Sequence, residues 1–307
     1  MTKADWVVML LMQTATEMNM DYTFVNRLLK DVKASGTAVA DVFGAAEKIN
    51  PLWRGLVNAA EENARKYSNC TENFFRRKID IVSTESLCYP ANLKKRLGEK
   101  TPPCFFAAGN LELGTKPAIS VTGVRDTLPD DIAFARRLGE LCAKEGFVVV
   151  SGGAVGVDSE VLSATLKKGG ETVVYLPQGF EKSVFMHQNR SFIERGTLLC
   201  LSLWKPAESF TGNKALERNV YIHSHGDITV TVRAKLKSGG SWSGACYNLE
   251  RGRTPAYVSD IPSPGNEALR KMGAGLIKRE ELFCPDFRLK EEITELRGFG
   301  INPFCEI

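Results

Sequence analysis

The sequence predicts an α/β protein in which a small helical N-terminal domain precedes a doubly wound, mostly parallel sheet. Two observations predict this class. Up to about residue 70, apolar side chains recur at helical spacing, as at Phe24, Leu28 and Val32. From about residue 117, short apolar runs alternate with helical stretches of ten or more residues, which is the pattern of a parallel sheet covered on both faces.

The individual strands and helices follow from this alternation. Eight apolar segments are predicted as strands, at residues 78–83, 104–109, 118–123, 147–153, 171–177, 198–204, 227–234 and 254–259. The amphipathic segments 130–146 and 157–170, each ending in glycine, are predicted as helices. A helix, a turn and a further strand are expected within residues 265–282.

Composition shifts divide the chain into four parts. They are a helical N-terminal domain (residues 1–70), a connector that packs on the core (71–116), a Rossmann-like core (117–285), and a C-terminal helix and tail (286–307). The sequence does not disclose what the helical N-terminal domain does.

The bulk composition excludes several classes of protein. With 43% hydrophobic and 25% charged residues, the chain is typical of a soluble globular protein. Its eight cysteines form no C-x-x-C pair, so we expect no disulfide framework, no metal and a reducing, cytoplasmic location. No cofactor is expected either. The apolar run 7–12 is too short for a signal peptide or for a membrane span of about 20 residues. The net charge of +4 permits a polyanionic partner without requiring one.

Glycine-rich loops after predicted strands are the first candidates for function, because ligands of parallel sheets bind beyond the carboxyl ends of the strands. Gly123 and Arg125 follow the strand at 118–123, where glycine lets the backbone approach a ligand and the guanidinium suits a phosphate.

The segment 151–158, S-G-G-A-V-G-V-D, joins a strand to a helix, so that its N–H groups and the helix N-terminus favour an anion. The candidates there are Ser151, Gly152, Gly153, Gly156 and Asp158. Asp158 suits the first helical turn as well as a ligand. The spacing fits neither the dinucleotide fingerprint nor the P-loop, so NAD and ATP are not expected.

Three further segments combine cations or amides with small polar residues. The stretch after residues 227–234 contains no carboxylate and contributes Lys235, Lys237, Ser238, Gly239 and Gly240. Two dipeptides, Arg218-Asn219 and Asn189-Arg190, each place an amide beside a guanidinium. Taken singly, each of these two dipeptides favours a structural role over a functional one.

Two other features have mainly structural interpretations. His223 and His225 are predicted on one face of a strand, as a structural or surface pair, because no cysteine or carboxylate with ligand spacing joins them. Trp242 suits either a place in the core or stacking on a base.

In combination, these motifs resemble the DNA-processing protein A (DprA/Smf) family, within the Rossmann-like superfamily that includes the LOG proteins. The shared order is G-x-R, then S-G-x-A-x-G-x-D, then G-G-x-T at residues 169–172, followed by the two amide–guanidinium dipeptides and an S-G-rich loop near residue 239. The lead-in with Tyr89-Pro90 is similar too, and the resemblance covers about residues 78–280. Val124 and Leu162 replace the family's usual serine and histidine, which indicates a divergent branch.

The resemblance implies a non-catalytic protein that binds single-stranded DNA, forms a homodimer and hands the strand to a RecA-type recombinase. It implies a role in natural transformation, in recombination or in defence against foreign DNA, without a membrane partner. It also implies that Arg125 contacts phosphate, that the loop 152–156 supplies N–H donors, and that Asn189-Arg190 and Lys237 flank the strand.

Two alternatives stay open. LOG phosphoribohydrolases carry P-G-G-x-G-T-x-x-E, which residues 239–241 resemble, but Ser238 replaces the proline and no glutamate follows at the required spacing. The other alternative is a sensor of a small nucleotide. Neither the pathway nor the oligomeric state follows from the residues themselves.

Overall fold

The computed structural model describes residues 1–291, except for the side chains of residues 65, 66, 68–73, 75 and 182. Within this range, the predicted strands form one nine-stranded sheet. The strands are β1 (Asp80–Ser83), β2 (Cys104–Gly109), β3 (Ala118–Thr122), β4 (Val148–Ser151), β5 (Thr172–Leu176), β6 (Leu198–Ser202), β7 (Ile228–Thr231), β8 (Ala256–Ser259) and β9 (Gly275–Ile277). The predicted α/β class is therefore confirmed.

Helices precede the sheet and connect its strands. They are α1 (Lys3–Glu17), α2 (Thr23–Ala34), α3 (Arg54–Arg76), α4 (Ala91–Leu97), α5 (Pro129–Glu145), α6 (Val157–Lys167), α7 (Val184–Gln188), α8 (Arg190–Glu194), α9 (Gly212–His225), α10 (Gly239–Glu250), α11 (Pro264–Lys271) and α12 (Arg279–Leu282). As predicted, glycine ends α5: Gly146 has a φ of 77°, the left-handed conformation that closes a helix. Among residues 1–291, no helix is long and apolar enough to cross a bilayer.

The strand order is β1-β2-β6-β5-β4-β3-β7-β8-β9. All neighbouring pairs from β6 to β9 are parallel, whereas β2 is antiparallel to both β1 and β6. Alternate residues of one strand belong to different apolar cores: Val149 lies in one and Val150 in the other. The sheet is thus buried on both faces, which is why its strands are continuous apolar runs.

The N-terminal helices pack against the antiparallel end of the sheet. Asp5 of α1 accepts hydrogen bonds from the backbone N–H and the hydroxyl of Ser83 in β1, at 3.1 and 2.6 Å. Leu10 of α1 lies in the same apolar core as Ile119 of β3. The division of the chain at residues 70, 116 and 285 stays a prediction, and most of the predicted C-terminal helix and tail lies outside the described residues.

The chain reverses its direction of travel across the sheet at β3. From β3 it continues to β4, β5 and β6 on one side, and it then returns through α9 to β7 on the other side. This is a topological switch point, where the loops after β3 and β7 diverge and leave a crevice beyond the strand ends.

Candidate functional site

A cleft of about 620 Å³ occupies this crevice. Four segments line it: the loop after β3, the loop after β4, the first turns of α9, and the turn between β7 and α10. Of the predicted site residues, nine line it: Gly123, Arg125, Asp158, Arg218, Asn219, Lys235, Ser238, Gly239 and Gly240. Residues that lie far apart in the sequence therefore surround one cavity.

Close backbone packing joins the loops after β3 and β4. The Val157 N–H donates to the Val124 carbonyl at 3.1 Å. Gly156 has a φ of 92°, and a Cβ there would lie 2.4 Å from the same carbonyl oxygen, so only glycine fits. A Cβ on Gly123 would lie 2.5 Å from the Val157 side chain. The Ser241 hydroxyl donates to the Gly123 carbonyl, which ties the start of α10 to the same two loops.

Two polar residues of the segment 151–158 are engaged inside the protein. The buried Ser151 hydroxyl donates to the Val121 carbonyl of β3 at 2.7 Å. The Asp158 carboxylate accepts hydrogen bonds from the N–H groups of Gly152 and Ala154, at 3.2 and 3.4 Å. Burial raises the pKa of Asp158, against the opposing effects of a nearby guanidinium and of these N–H groups. Asp158 thus shapes the loop in addition to facing the cleft.

Arg218 is a cation buried at the wall of the cleft. Only 5% of the residue is exposed, and among the described residues its Nε has no hydrogen-bond partner. Its nearest anion is the Asp158 carboxylate, at 4.0 Å. Burial lowers the pKa of Arg218 to about 10 in spite of that carboxylate. A Cβ on Gly152 would lie 1.2 Å from Nη1 of Arg218, so the guanidinium packs directly on the loop backbone.

The turn after β7 leads into an open helix N-terminus. Ser238 is the N-cap of α10 but its side chain makes no capping hydrogen bond, and the first turn of α10 contains no acidic residue. Asn219 packs against this turn, since a Cβ on Gly240 would lie 2.5 Å from its Nδ2. The N–H groups of the first helical turn and the helix dipole favour an anion at this end of the cleft.

Arg233, which precedes the same turn, has a structural role instead. Its Nε donates to both oxygens of the fully buried Asp131, at 2.9 and 2.8 Å, and its Nη2 donates to the Asp126 carbonyl at 2.6 Å. These contacts fix the loop after β3 against the end of β7.

Comparison with known proteins identifies the family. Residues 80–287 match the sequence model of the family described as DNA recombination-mediator protein A. The chain belongs to this family, as the resemblance to DprA/Smf proteins indicated. It is 26% identical over 257 residues to the DNA processing protein DprA of Bacillus subtilis (strain 168), which covers 81% of this chain and 83% of the relative.

Two solved structures have a similar fold. DNA processing protein A from Streptococcus pneumoniae matches with a TM-score of 0.71 and 19% identity, over 94% of this chain and 99% of the other. DNA processing protein A from Helicobacter pylori, a protein with a single-stranded DNA binding mode, matches with a TM-score of 0.57 and 23% identity, over 72% of this chain and 97% of the other.

Several residues that resemble DprA motifs lie away from the cleft. Asn189 and Arg190 lie where α7 meets α8; the Asn189 amide donates to the Phe185 carbonyl, and Arg190 pairs with Glu194 at 2.9 Å. Gly153 faces the ring of Phe185. Lys237 is exposed in the turn after β7, with a φ of 54°, and is not among the residues that line the cleft.

The prediction that His223 and His225 lie on a strand is wrong in this DprA-family chain, whereas Trp242 takes the first of its two predicted roles, packing on an apolar core cluster. His223 and His225 lie at the end of helix α9 and not on a strand, because Thr211 caps a helix that continues through both. Trp242 is half-buried and packs on a small apolar cluster instead of lining the cleft.

Phe210, which sequence reasoning missed, lines the cleft and is 50% exposed. The sequence signal that could have indicated Phe210 is its position, since it is an aromatic residue directly before Thr211, the N-cap of α9.

Proposed function

We propose that this chain is a non-catalytic, cytoplasmic single-stranded DNA-binding protein of the DprA type, in which strand phosphates bind in the cleft at the switch point. The observation that carries the proposal is Arg218, a cation that is 95% buried, lines the cleft and lies as far as 4.0 Å from the carboxylate of Asp158. A buried charged group without a full set of partners is costly to stability, which favours a ligand that completes them.

The surroundings of Arg218 suit a phosphate. The open N-terminus of α10 adds N–H donors, and Arg125 adds an exposed guanidinium at the mouth of the cleft. Phe210 offers a half-exposed ring on which a base can stack, a contact that tolerates any sequence. Phosphate donors and an aromatic surface in one cleft favour a nucleic-acid strand.

Family membership supports the finer features of the proposal. The B. subtilis relative is a DNA processing protein, and the H. pylori protein of similar fold has a single-stranded DNA binding mode. On this basis we propose that the chain acts in DNA uptake, recombination or defence, that it works as a homodimer, and that it hands its strand to a RecA-type recombinase.

The carboxylates of the cleft weigh against the hydrolase alternative. Lys235 lowers the pKa of Asp126, so this carboxylate has no proton to give to a leaving base, and Asp158 accepts the two loop N–H groups. Glu217 is bonded to the Tyr221 hydroxyl at 2.7 Å and is not among the residues that line the cleft. Glycosidic cleavage needs a carboxylate that is available to the substrate.

Fluorescence anisotropy with a labelled oligothymidylate tests the proposal. Binding should weaken as salt rises, by release of counterions from the strand, and should be weaker for duplex DNA. Arg125→Ala should lower affinity about fivefold and reduce the salt slope by about 0.7. The matched control is Arg136→Ala, an exposed guanidinium paired with Glu160 on the outside of α5–α6, which should bind like wild type.

Three outcomes would contradict the proposal. Equal affinity in Arg125→Ala and wild type would remove the cleft from the binding site. Stabilisation by a mononucleotide without affinity for oligonucleotides would favour the nucleotide sensor. Release of free base from a nucleoside monophosphate would establish the hydrolase.

A further inference from the structure

The mouth of the cleft contains a carboxylate, which is unexpected in a site for a polyanion. Asp126 lines the cleft directly after Arg125, and its carboxylate lies 2.9 Å from Nζ of Lys235. Both side chains are exposed, at 62% and 55%. The ion pair joins the loop after β3 to the turn after β7, so it spans the switch point.

The backbone on the Asp126 side of this pair is held firmly. Arg233 donates to the Asp126 carbonyl and is itself fixed by both oxygens of the buried Asp131. The hydrogen bond from Lys235 lowers the pKa of Asp126, so the carboxylate is ionised at neutral pH. A permanent negative charge is therefore presented to Lys235 from an anchored loop.

The Lys235 side is fixed by a four-residue turn. The Ser238 N–H donates to the Lys235 carbonyl at 3.2 Å, and α10 begins directly afterwards at Gly239. Among the cations that line the cleft, Lys235 is thus the one nearest in sequence to the start of α10. A phosphate that reaches the start of α10 from the mouth would meet Lys235 while it is still paired with Asp126.

We propose that Asp126 is an internal competitor for the strand: its carboxylate occupies, on Lys235, the position that a phosphodiester oxygen of single-stranded DNA takes in the complex. This inference rests on the proposed function. Binding exchanges one anionic partner of Lys235 for another, so Asp126 lowers the affinity and flattens its salt dependence. Because exposed ion pairs are weak, the exchange is easy and its effect on affinity is only severalfold.

Asp126→Asn tests the inference, with Asp130→Asn as the matched control. Asp130 lies four residues away, is similarly exposed at 60%, and is paired with Arg279 outside the cleft. In anisotropy titrations with oligothymidylate, Asp126→Asn should raise affinity about threefold and steepen the salt slope by up to about 0.7. Asp130→Asn should change neither.

The variant Lys235→Gln distinguishes an exchange of anions on Lys235 from simple repulsion between Asp126 and the strand. In Lys235→Gln the exchange cannot occur, so adding Asp126→Asn should raise affinity by much less than threefold. An equal gain with and without Lys235, or no gain in Asp126→Asn while wild type binds, overturns the inference and leaves the proposed function standing. Absence of oligothymidylate binding in both wild type and Asp126→Asn overturns the proposed function and this inference together.

Discussion

Two dipeptides of the same chemistry, Arg218-Asn219 and Asn189-Arg190, lie in contrasting places. Arg218 is buried beside the cleft, with an Nε that has no hydrogen-bond partner among the described residues. Arg190 has a side chain 78% exposed and pairs with Glu194 one helical turn later. An exposed guanidinium with a local partner has little effect on folding stability. A buried guanidinium without a full set of partners lowers that stability. The comparison teaches that burial and missing partners, more than residue type, distinguish the arginine that we propose as the binding residue.

The largest expected effect is a loss of folding stability in acid, which comes from the region of Arg218 and not from that of Arg190. The helix that carries Arg218 also buries His223 and His225, and burial lowers their pKa values to about 4 and about 3. In the unfolded chain the two histidines have a pKa near 6.5, so as pH falls they take up protons there before they do so in the folded protein. Stability present above pH 6.5 is therefore lost towards pH 4, by about 2 kcal/mol per histidine between pH 7 and pH 5.

Urea unfolding midpoints at pH 7 and pH 5 measure this loss. His187→Gln, on the exposed helix α7, is the control and should keep the same pH dependence as wild type. Ring proton resonances of His223 or His225 that titrate near pH 6.5 in the folded protein would contradict the prediction.

Removing the charge of Arg218 should have the largest effect on binding. Arg218→Gln should lower affinity for oligothymidylate about thirtyfold, since a charge-assisted hydrogen bond contributes about 1.5–3 kcal/mol. The same variant should also unfold at a lower temperature, because it leaves the buried Asp158 carboxylate without its nearest cation. Anisotropy and thermal unfolding measure the two effects. A lower melting temperature with unchanged affinity would make Arg218 a structural residue.

Displacing the Arg218 side chain without replacing it should lower the affinity for oligothymidylate by less than Arg218→Gln does. A Cβ at Gly152 would lie 1.2 Å from Nη1 of Arg218, so Gly152→Ala must displace the guanidinium. We expect affinity to fall about tenfold, the equivalent of roughly 1.4 kcal/mol. Gly55→Ala is the control, because a Cβ there has no neighbour within 4 Å among the described residues. Equal binding by both glycine variants would show that the position of Arg218 is unimportant.

The other dipeptide should show the smallest effect. Arg190→Ala removes an exposed side chain and an ion pair of the kind worth about 0.3–0.5 kcal/mol, so affinity and stability should both stay within about twofold of wild type. A loss of affinity as large as that of Arg218→Gln would place the strand on α8 and would remove the distinction between the two dipeptides.

The sheet and the edge at which its loops converge could be predicted from the sequence because they depend on local patterns. Apolar runs such as residues 148–151 are continuous because both faces of the sheet are covered, and parallel strands place their following loops at one edge. The convergence of Gly123 and Gly239 on one cleft follows from this geometry.

The roles of individual cations could not be predicted, since they depend on distant partners. Asp131, 102 residues before Arg233, binds its guanidinium, and nothing near Arg233 in the sequence indicates this. The residues His223 to His225 alternate as a strand would, but Thr211 caps a helix that begins at Gly212 and runs through them. The ion pair of Asp126 could not be predicted because its partner, Lys235, follows a different strand.

A crystal structure of the protein with a short oligothymidylate tests the central claim most directly. It should place a phosphate within hydrogen-bonding distance of both the Arg218 guanidinium and the first-turn N–H groups of α10. A strand that crosses α7 and α8 instead, with the cleft free of phosphate, would contradict it.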